Sequence, residues 1–156
     1  AGFSPDSDAN LLAGTDTGKC LTSGQACHNV FLGSAAGKYN TTVDNSIYLG
    51  KYAGCGTSGG CSGGYANFFG GYLAGGKITT GSGNTFIGDE AGKTTTTGSN
   101  NVCIGRDSQA SSATVLNTVT LGSSDITALR CQVQTISALS DERDKTDIVD
   151  RLDVIS

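Results

Sequence analysis

The six cysteines are the residues of this chain with the most evident chemistry, and they favour disulfide bonds over metal binding. Zinc sites draw on cysteine pairs at short, regular spacing or on several histidines. No C-x-x-C motif occurs and His28 is the single histidine, so we predict no metal site and no cofactor. Four cysteines instead form two close pairs along the chain, Cys20 with Cys27 and Cys55 with Cys61.

The elements that must position these cysteines are copies of one short repeat. Six copies of an apolar triplet followed by glycine succeed one another at intervals of 17, 21, 17, 17 and 17 residues, ending at Gly33, Gly50, Gly71, Gly88, Gly105 and Gly122. A weaker seventh copy ends at Gly14, 19 residues before Gly33. A short fixed period indicates one structural unit stacked on copies of itself. We therefore predict an all-β fold, a β-solenoid or β-roll shaft, over residues 1–125.

The two intervals that depart from 17 residues each contain one of the close cysteine pairs. We predict that Cys20–Cys27 and Cys55–Cys61 are disulfides that close the two enlarged loops, each stabilising the fold by about 2 kcal/mol. The other two cysteines, Cys103 and Cys131, either pair with each other or remain buried thiols. Disulfides would place the protein in an extracellular or otherwise oxidising setting.

Each triplet is predicted to be a β-strand, because β-branched and aromatic residues stand between a polar residue and glycine. Alternation along a strand sends the first and third residues to one face and the middle residue to the other. With an apolar content of 37%, a lone chain would bury little. We predict that the outer pair fills the coil and that the middle residues pack against neighbouring subunits of a trimer: Phe31, Tyr48, Phe69 and Phe86.

The residues between the triplets predict corners and a second strand. Alanine-glycine pairs, such as Ala36-Gly37 and Ala53-Gly54, mark corners where φ is positive or two backbones approach closely. Paired threonines follow these corners and predict a half-exposed second strand that closes the coil: Thr41-Thr42, Thr79-Thr80 and Thr96-Thr97.

Composition and charge argue against several classes of protein. The net charge of -4 is scattered, and no basic stripe for nucleic acid occurs. No stretch approaches the roughly 20 apolar residues of a membrane span. The acidic residues suggest no paired-carboxylate hydrolase. The chain begins at Ala1 with no visible signal peptide, so we expect it to be processed or cut from something longer.

The repeat stops after Gly122. Residues 126–139 are predicted to form transition strands, because apolar residues alternate there. Beyond them, Ile148, Leu152 and Ile155 give the apolar stripe of a short C-terminal helix, and Ser140 suits the N-cap of a helix.

The block Ser140-Asp-Glu-Arg-Asp-Lys145, followed by Thr-Asp-Ile, resembles the opening of the self-cleaving intramolecular chaperone of phage tail spikes, tail fibres and endosialidases. The segment that precedes it is similar to what leads into that domain in viral fibre proteins, and the glycine repeats resemble fibre shafts and the heads of trimeric adhesins. The resemblance implies a homotrimer. It also implies that Ser140 is the nucleophile, Lys145 the general base and Leu139–Ser140 the cleaved bond. Residues 140–156 would be only the start of that chaperone.

The repeat and the resemblance together predict a structural shaft of a viral tail fibre or spike, on the virion and outside the cell. The expected partners are the other chains of the homotrimer, further fibre or baseplate proteins, and a glycan or protein receptor on the host surface. We expect no activity on other substrates, no nucleic-acid binding and no membrane insertion.

Two other functions compete with the fibre. A bacterial trimeric surface adhesin is the main alternative. An ice-binding solenoid is suggested by the threonine pairs, but Tyr48, Gly70 and the inserted loops interrupt a flat threonine array. The five tyrosines could line a carbohydrate site, although packing along strand faces and trimer seams is the favoured role.

Overall fold

The computed structural model describes residues 6–59 and 62–130 of the chain. This part is all-β, with seven strands of three residues each and no helix. Every strand coincides with one of the predicted apolar triplets. The strands are β1 Leu11–Ala13, β2 Val30–Leu32, β3 Ile47–Leu49, β4 Phe68–Gly70, β5 Thr85–Ile87, β6 Val102–Ile104 and β7 Val119–Leu121.

The strands form one parallel sheet in chain order. Equivalent residues of successive copies pair directly, so that Tyr48 lies between Phe31 and Phe69. Parallel neighbours cannot be joined by a tight hairpin, and here the chain makes one full coil between each strand and the next. The fold is therefore a parallel β-solenoid, as the repeat predicted. The two enlarged coils keep the same register, because their extra residues are accommodated outside the strands.

The predicted second strand is not formed. Outside the seven strands, isolated parallel bridges join Asp44 with Tyr65 and Ser99 with Leu116. The backbone N–H groups of Thr79, Thr80 and Gly81 all donate to one carbonyl, that of Thr96, at 2.9, 3.4 and 3.4 Å. Three consecutive N–H groups that converge on one carbonyl of the next coil show that the backbone bends here. In a parallel ladder the bonds would be evenly spaced.

The middle residues of the strands fill the inside of the coil. Phe31, Tyr48, Phe69 and Phe86 are each 0% exposed within the single chain. Their rings form one stack, with centroids 4.3, 4.9 and 5.0 Å apart. The prediction that these four rings pack against neighbouring subunits is therefore wrong, and so is the prediction that other chains must complete this core.

The coil has room for a ring because the wall opposite each strand is made of very small residues. Ala36, Ala53, Ala74 and Ala91 are all fully buried there. The glycine after each alanine is also required. A Cβ at Gly37 would lie 2.5 Å from the Phe31 ring, and the φ of +61° at this glycine confirms the predicted corner. The alanine-glycine pairs thus create the space that the aromatic stack occupies.

A buried polar ladder runs beside the aromatic stack. Its members precede the strands and are Asn10, Asn29, Ser46, Asn67, Asn84 and Asn101. The backbone and side-chain N–H groups of Asn84 both donate to Asn67 Oδ1, at 2.9 and 3.2 Å, and the side chain also donates to the Gly98 carbonyl at 2.8 Å. Asn101 binds Asn84 in the same way. Each coil therefore fixes the next through groups that would be costly to leave unpaired.

The chain divides into two compact units after Ile126. Of the second unit, residues 127–130 are described, and they form no strand. The rest of the predicted transition strands, residues 131–139, and the predicted helix within residues 140–156 lie outside the described residues.

Candidate functional site

The residues predicted to act in self-cleavage, Ser140 and Lys145, lie outside the described residues, so their roles stay predictions. Within residues 6–59 and 62–130, no group of three or more histidine, cysteine, aspartate or glutamate side chains comes together to hold a metal ion. In that same part of the chain, no helix is long and apolar enough to cross a membrane.

The predicted disulfide between Cys20 and Cys27 is not formed, since both residues are free thiols. Backbone hydrogen bonds hold them against different parts of the next coil: Cys20 donates to the Lys38 carbonyl, and Cys27 donates to the Asp44 carboxylate. Desolvation, with the nearby negative charge of Asp44, raises the pKa of the Cys27 thiol and so disfavours the reactive thiolate. Cys61 lies outside the described residues, and its pairing with Cys55 stays a prediction.

Cys103 is a free thiol buried inside the coil. It continues the aromatic stack, lying in register between Phe86 and Thr120. Burial raises the pKa of this thiol, while hydrogen bonds with Thr120 and Ser108 act in the opposite direction. Cys103 therefore acts as a small apolar core residue, which is one of the two predicted alternatives. Cys131, the partner predicted in the other alternative, lies outside the described residues.

The first and third residues of the strands form the surface that we call the outer strand face. The prediction that these residues fill the coil is wrong, because they lie on its surface. The eight most exposed large residues of this face are between 36% and 69% exposed, and they are Leu32, Ile47, Leu49, Phe68, Ile87, Ile104, Val119 and Leu121. No first or third strand residue is charged, and Thr85 is the one with a polar side chain.

The outer strand face is unusual for a surface exposed to water. An antiparallel sheet with one wet face normally carries polar residues there, whereas sheets covered on both faces read as almost continuous apolar runs. Large contiguous apolar patches on soluble proteins mark interaction sites. Because the seven strands pair in register, these residues form two columns along the sheet, which are apolar except at Thr85 and lack a side chain only at Gly70. This face is the first candidate site, and it fits a partner with an equally apolar surface.

An open groove of about 360 Å³ is the second candidate site. It spans three successive coils, and its lining residues are Thr42, Asp44, Asn45, Ser62, Gly64, Tyr65, Thr80 and Ser82. The Tyr65 side chain is 64% exposed. Its backbone is held by the bridge to Asp44 and by a bond from its N–H to Ser82 Oγ at 3.1 Å. The groove thus combines one aromatic ring with hydroxyl, amide and carboxylate groups.

The groove was not predicted from the sequence, where the five tyrosines were treated as one group. The signal that could have separated Tyr65 from the others is its position in the repeat. Asp44, Ser82 and Ser99 stand at the equivalent place in neighbouring coils, and Leu116 stands there in the coil after Ser99. Because serine suffices at this place in two coils, folding does not require the aromatic ring of Tyr65.

Two of the paired threonines use their hydroxyl groups within the fold, which does not favour an ice-binding surface. Thr79 Oγ1 donates to the Thr96 carbonyl at 3.1 Å, and Thr96 Oγ1 donates to the Ala113 carbonyl at 3.2 Å. These hydroxyl groups are used to hold one coil to the next. They do not form the flat lattice of free hydroxyls that an ice surface would need.

Comparison with known proteins finds no matching family model, no matching curated protein and no matching solved structure.

Proposed function

We propose that this chain is a shaft segment of a viral tail fibre or spike, in which three copies associate through their outer strand faces. The observation that carries the proposal is the uncharged, apolar outer strand face along all seven strands. Three solenoids side by side would cover this face, while the aromatic stack stays inside each copy. The subunit contact thus shifts from the middle residues of the strands to the first and third residues.

The interior of the coil supports a mechanical role. Main-chain bonds, stacked rings and the asparagine ladder tie each coil to the next, and these contacts are repeated from coil to coil. The stability of such a protein is a sum of contacts between neighbouring repeats. A chain of this kind suits an extended, stiff support.

The energy available at the outer strand face is of the right size for association. Covering a half-exposed leucine or isoleucine contributes on the order of 1 kcal/mol. The face offers several such side chains per subunit, in columns that would align with those of identical copies. Association costs about 4–15 kcal/mol in lost translational and rotational freedom. A stable trimer therefore needs the full length of the face, and changing one residue of the face should weaken it.

The oligomeric state tests the proposal. Light scattering after size-exclusion chromatography should give three times the mass of the chain, which is 15.7 kDa before any cleavage after Leu139. Ile104→Lys, on the outer strand face, should shift the protein to monomer by burying a charge at the contact. Leu116→Lys is the matched control, because Leu116 is also exposed but lies outside the strands. A wild-type monomer, or an Ile104→Lys protein that assembles like wild type, contradicts the proposal.

The self-cleavage of this fibre protein rests on the resemblance of residues 140–148. Peptide-bond hydrolysis between Leu139 and Ser140 would release the C-terminal part after assembly. Mass spectrometry of the expressed gene product should find a fragment that ends at Leu139. Ser140→Ala should abolish that fragment, and Ser137→Ala, a neighbouring serine outside the motif, should leave it unchanged. If both variants give the wild-type pattern, the cleavage proposal is wrong.

A further inference from the structure

We infer that the groove beside Tyr65 binds an uncharged pyranose ring of a surface polysaccharide. This inference rests on the proposed function, since it gives a receptor class to a fibre that contacts a host surface. The groove lies at the end of the enlarged coil between Gly50 and Gly71, where the 17-residue repeat is interrupted. None of its lining residues belongs to a strand, so it shares no residue with the outer strand face.

The side chain of Tyr65 is 64% exposed. The ring stacks on no other aromatic ring in the described part of the chain. The backbone position is fixed by main-chain contacts, and serine stands at the equivalent place in the two following coils. A rigid, flat, partly apolar ring is the side chain that pyranose sugars use as a stacking platform, because one face of the sugar presents C–H groups.

Polar groups around the ring are free to bind sugar hydroxyls. Asp44 Oδ1 accepts the N–H of Cys27 at 2.6 Å, which orients the carboxylate and leaves Oδ2 without a partner among the described residues. The Asn45 amide and the Thr80 hydroxyl likewise make no side-chain hydrogen bond within this part of the chain. One carboxylate, one amide and one hydroxyl beside an aromatic ring supply both acceptors and donors for neighbouring hydroxyls of a sugar.

The charge of the groove selects the kind of sugar. Among the described residues, Asp44 is the single charged one that lines the groove, and no lysine or arginine does so. An anionic sugar would bring a second carboxylate close to Asp44 without a cation to balance it, which is unfavourable. A neutral hexopyranose would instead donate its hydroxyl groups to the free carboxylate oxygen. The expected ligand is therefore a neutral polysaccharide rather than a uronate- or sialate-containing one.

Affinity electrophoresis with the full chain tests this inference. Native gels are cast with one of four neutral polysaccharides (dextran, mannan, amylose or a galactan) or with alginate or hyaluronan as anionic probes. At least one neutral gel should retard the wild-type protein severalfold, and the anionic gels should not. Tyr65→Ser, which restores the serine of the following coils, should remove most of the retardation. Tyr72→Ser replaces another exposed tyrosine outside the groove and should keep it.

Asp44→Asn gives a second readout, because asparagine keeps the oxygen that accepts the Cys27 N–H while removing the charge. It should weaken retardation by the neutral polysaccharide and relax the discrimination against alginate. Retardation by none of the neutral gels overturns the inference. Retardation that persists in Tyr65→Ser, or that occurs with the anionic probes alone, also overturns it.

The oligomeric state, measured on the same samples, separates this inference from the proposed fibre. A protein that is monomeric but retarded through Tyr65 would keep the sugar site and reject the trimer. A trimer that no neutral polysaccharide retards would reject the sugar site and keep the fibre.

Discussion

Phe68 and Phe69 are adjacent residues of β4, and they have opposite environments. Phe69 lies in the aromatic stack with no exposed surface, whereas Phe68 lies on the outer strand face and is 37% exposed. The two residues are chemically identical, so the difference comes only from the alternation of side chains along a strand. The inner column, formed by the middle residues of the strands, makes the coil stable. The outer column, formed by the residues of the outer strand face, is available to a partner. Substitutions at the two columns should therefore separate folding from assembly.

The largest expected effect is that of Phe69→Ala. The substitution leaves a gap between the Tyr48 and Phe86 rings, which stack on Phe69 at 4.9 and 5.0 Å. Loss of a buried phenylalanine costs about 3–5 kcal/mol in the free energy of unfolding. Phe68→Ala, the matched change on the outer strand face, should cost about 1 kcal/mol or less in the isolated chain. Urea denaturation followed by circular dichroism measures both.

The same pair should reverse its order in an assembly assay. Under conditions where both variants are folded, Phe68→Ala should weaken self-association more than Phe69→Ala does. Equal losses of folding stability at the two positions would show that the inner and outer columns are not distinct. In that case the assignment of the outer strand face to a partner would lose its support.

The strands could be predicted from sequence, but the direction of their faces could not be predicted from alternation alone. Alternation separates the middle residue of a triplet from its neighbours without saying which side is inside. The deciding information lay six residues further along. Phe31 is followed at that distance by Gly37, whereas Cys103, which needs less room, is followed by Gln109. A ring requires the glycine opposite to it, so this pairing of residue sizes identifies the interior.

The second strand and the groove could not be predicted for a different reason. Strand propensity suggested extended threonine segments, but the convergence of three N–H groups on the Thr96 carbonyl is a tertiary feature of a closing coil. The groove depends on residues from three coils, including Asp44 and Tyr65, which are 21 positions apart. The 17-residue period does not by itself show that Asp44 and Tyr65 are equivalent. The four extra residues of the coil between Gly50 and Gly71 must first be placed outside the strands.

An intermediate effect is expected for Asn84→Ala in the polar ladder beside the inner column. The substitution removes the oxygen that accepts the backbone N–H and side-chain amide of Asn101. The buried backbone N–H is left unpaired, whereas the side-chain amide keeps its bond to the Val115 carbonyl. Such a loss costs about 1–3 kcal/mol. Asn84→Ser is the control, because Ser46 accepts the N–H of Asn67 at the equivalent step of the ladder. Denaturation midpoints should fall in the order wild type, serine variant, alanine variant; an alanine variant equal to wild type would reject the ladder as a source of stability.

The smallest effect at neutral pH is expected for Tyr48→Phe, which makes the inner column uniformly phenylalanine from residue 31 to residue 86. The Tyr48 hydroxyl donates to the Gly63 carbonyl over a long distance of 3.5 Å, so the change should be within about 0.5 kcal/mol.

At alkaline pH the same substitution should have a clear effect. Burial raises the pKa of the Tyr48 hydroxyl well above its usual value. The folded state therefore holds this proton more tightly than the unfolded state. The stability that the protonated Tyr48 hydroxyl contributes is fully present below about pH 10. It is lost as the pH rises above that, by about 1.4 kcal/mol per pH unit. Tyr48→Phe should unfold at a higher pH than wild type in a base titration followed by circular dichroism. Tyr72→Phe, at an exposed tyrosine, should not; a shared alkaline midpoint for all three proteins would mean that the Tyr48 hydroxyl is open to water and the inner column is not sealed.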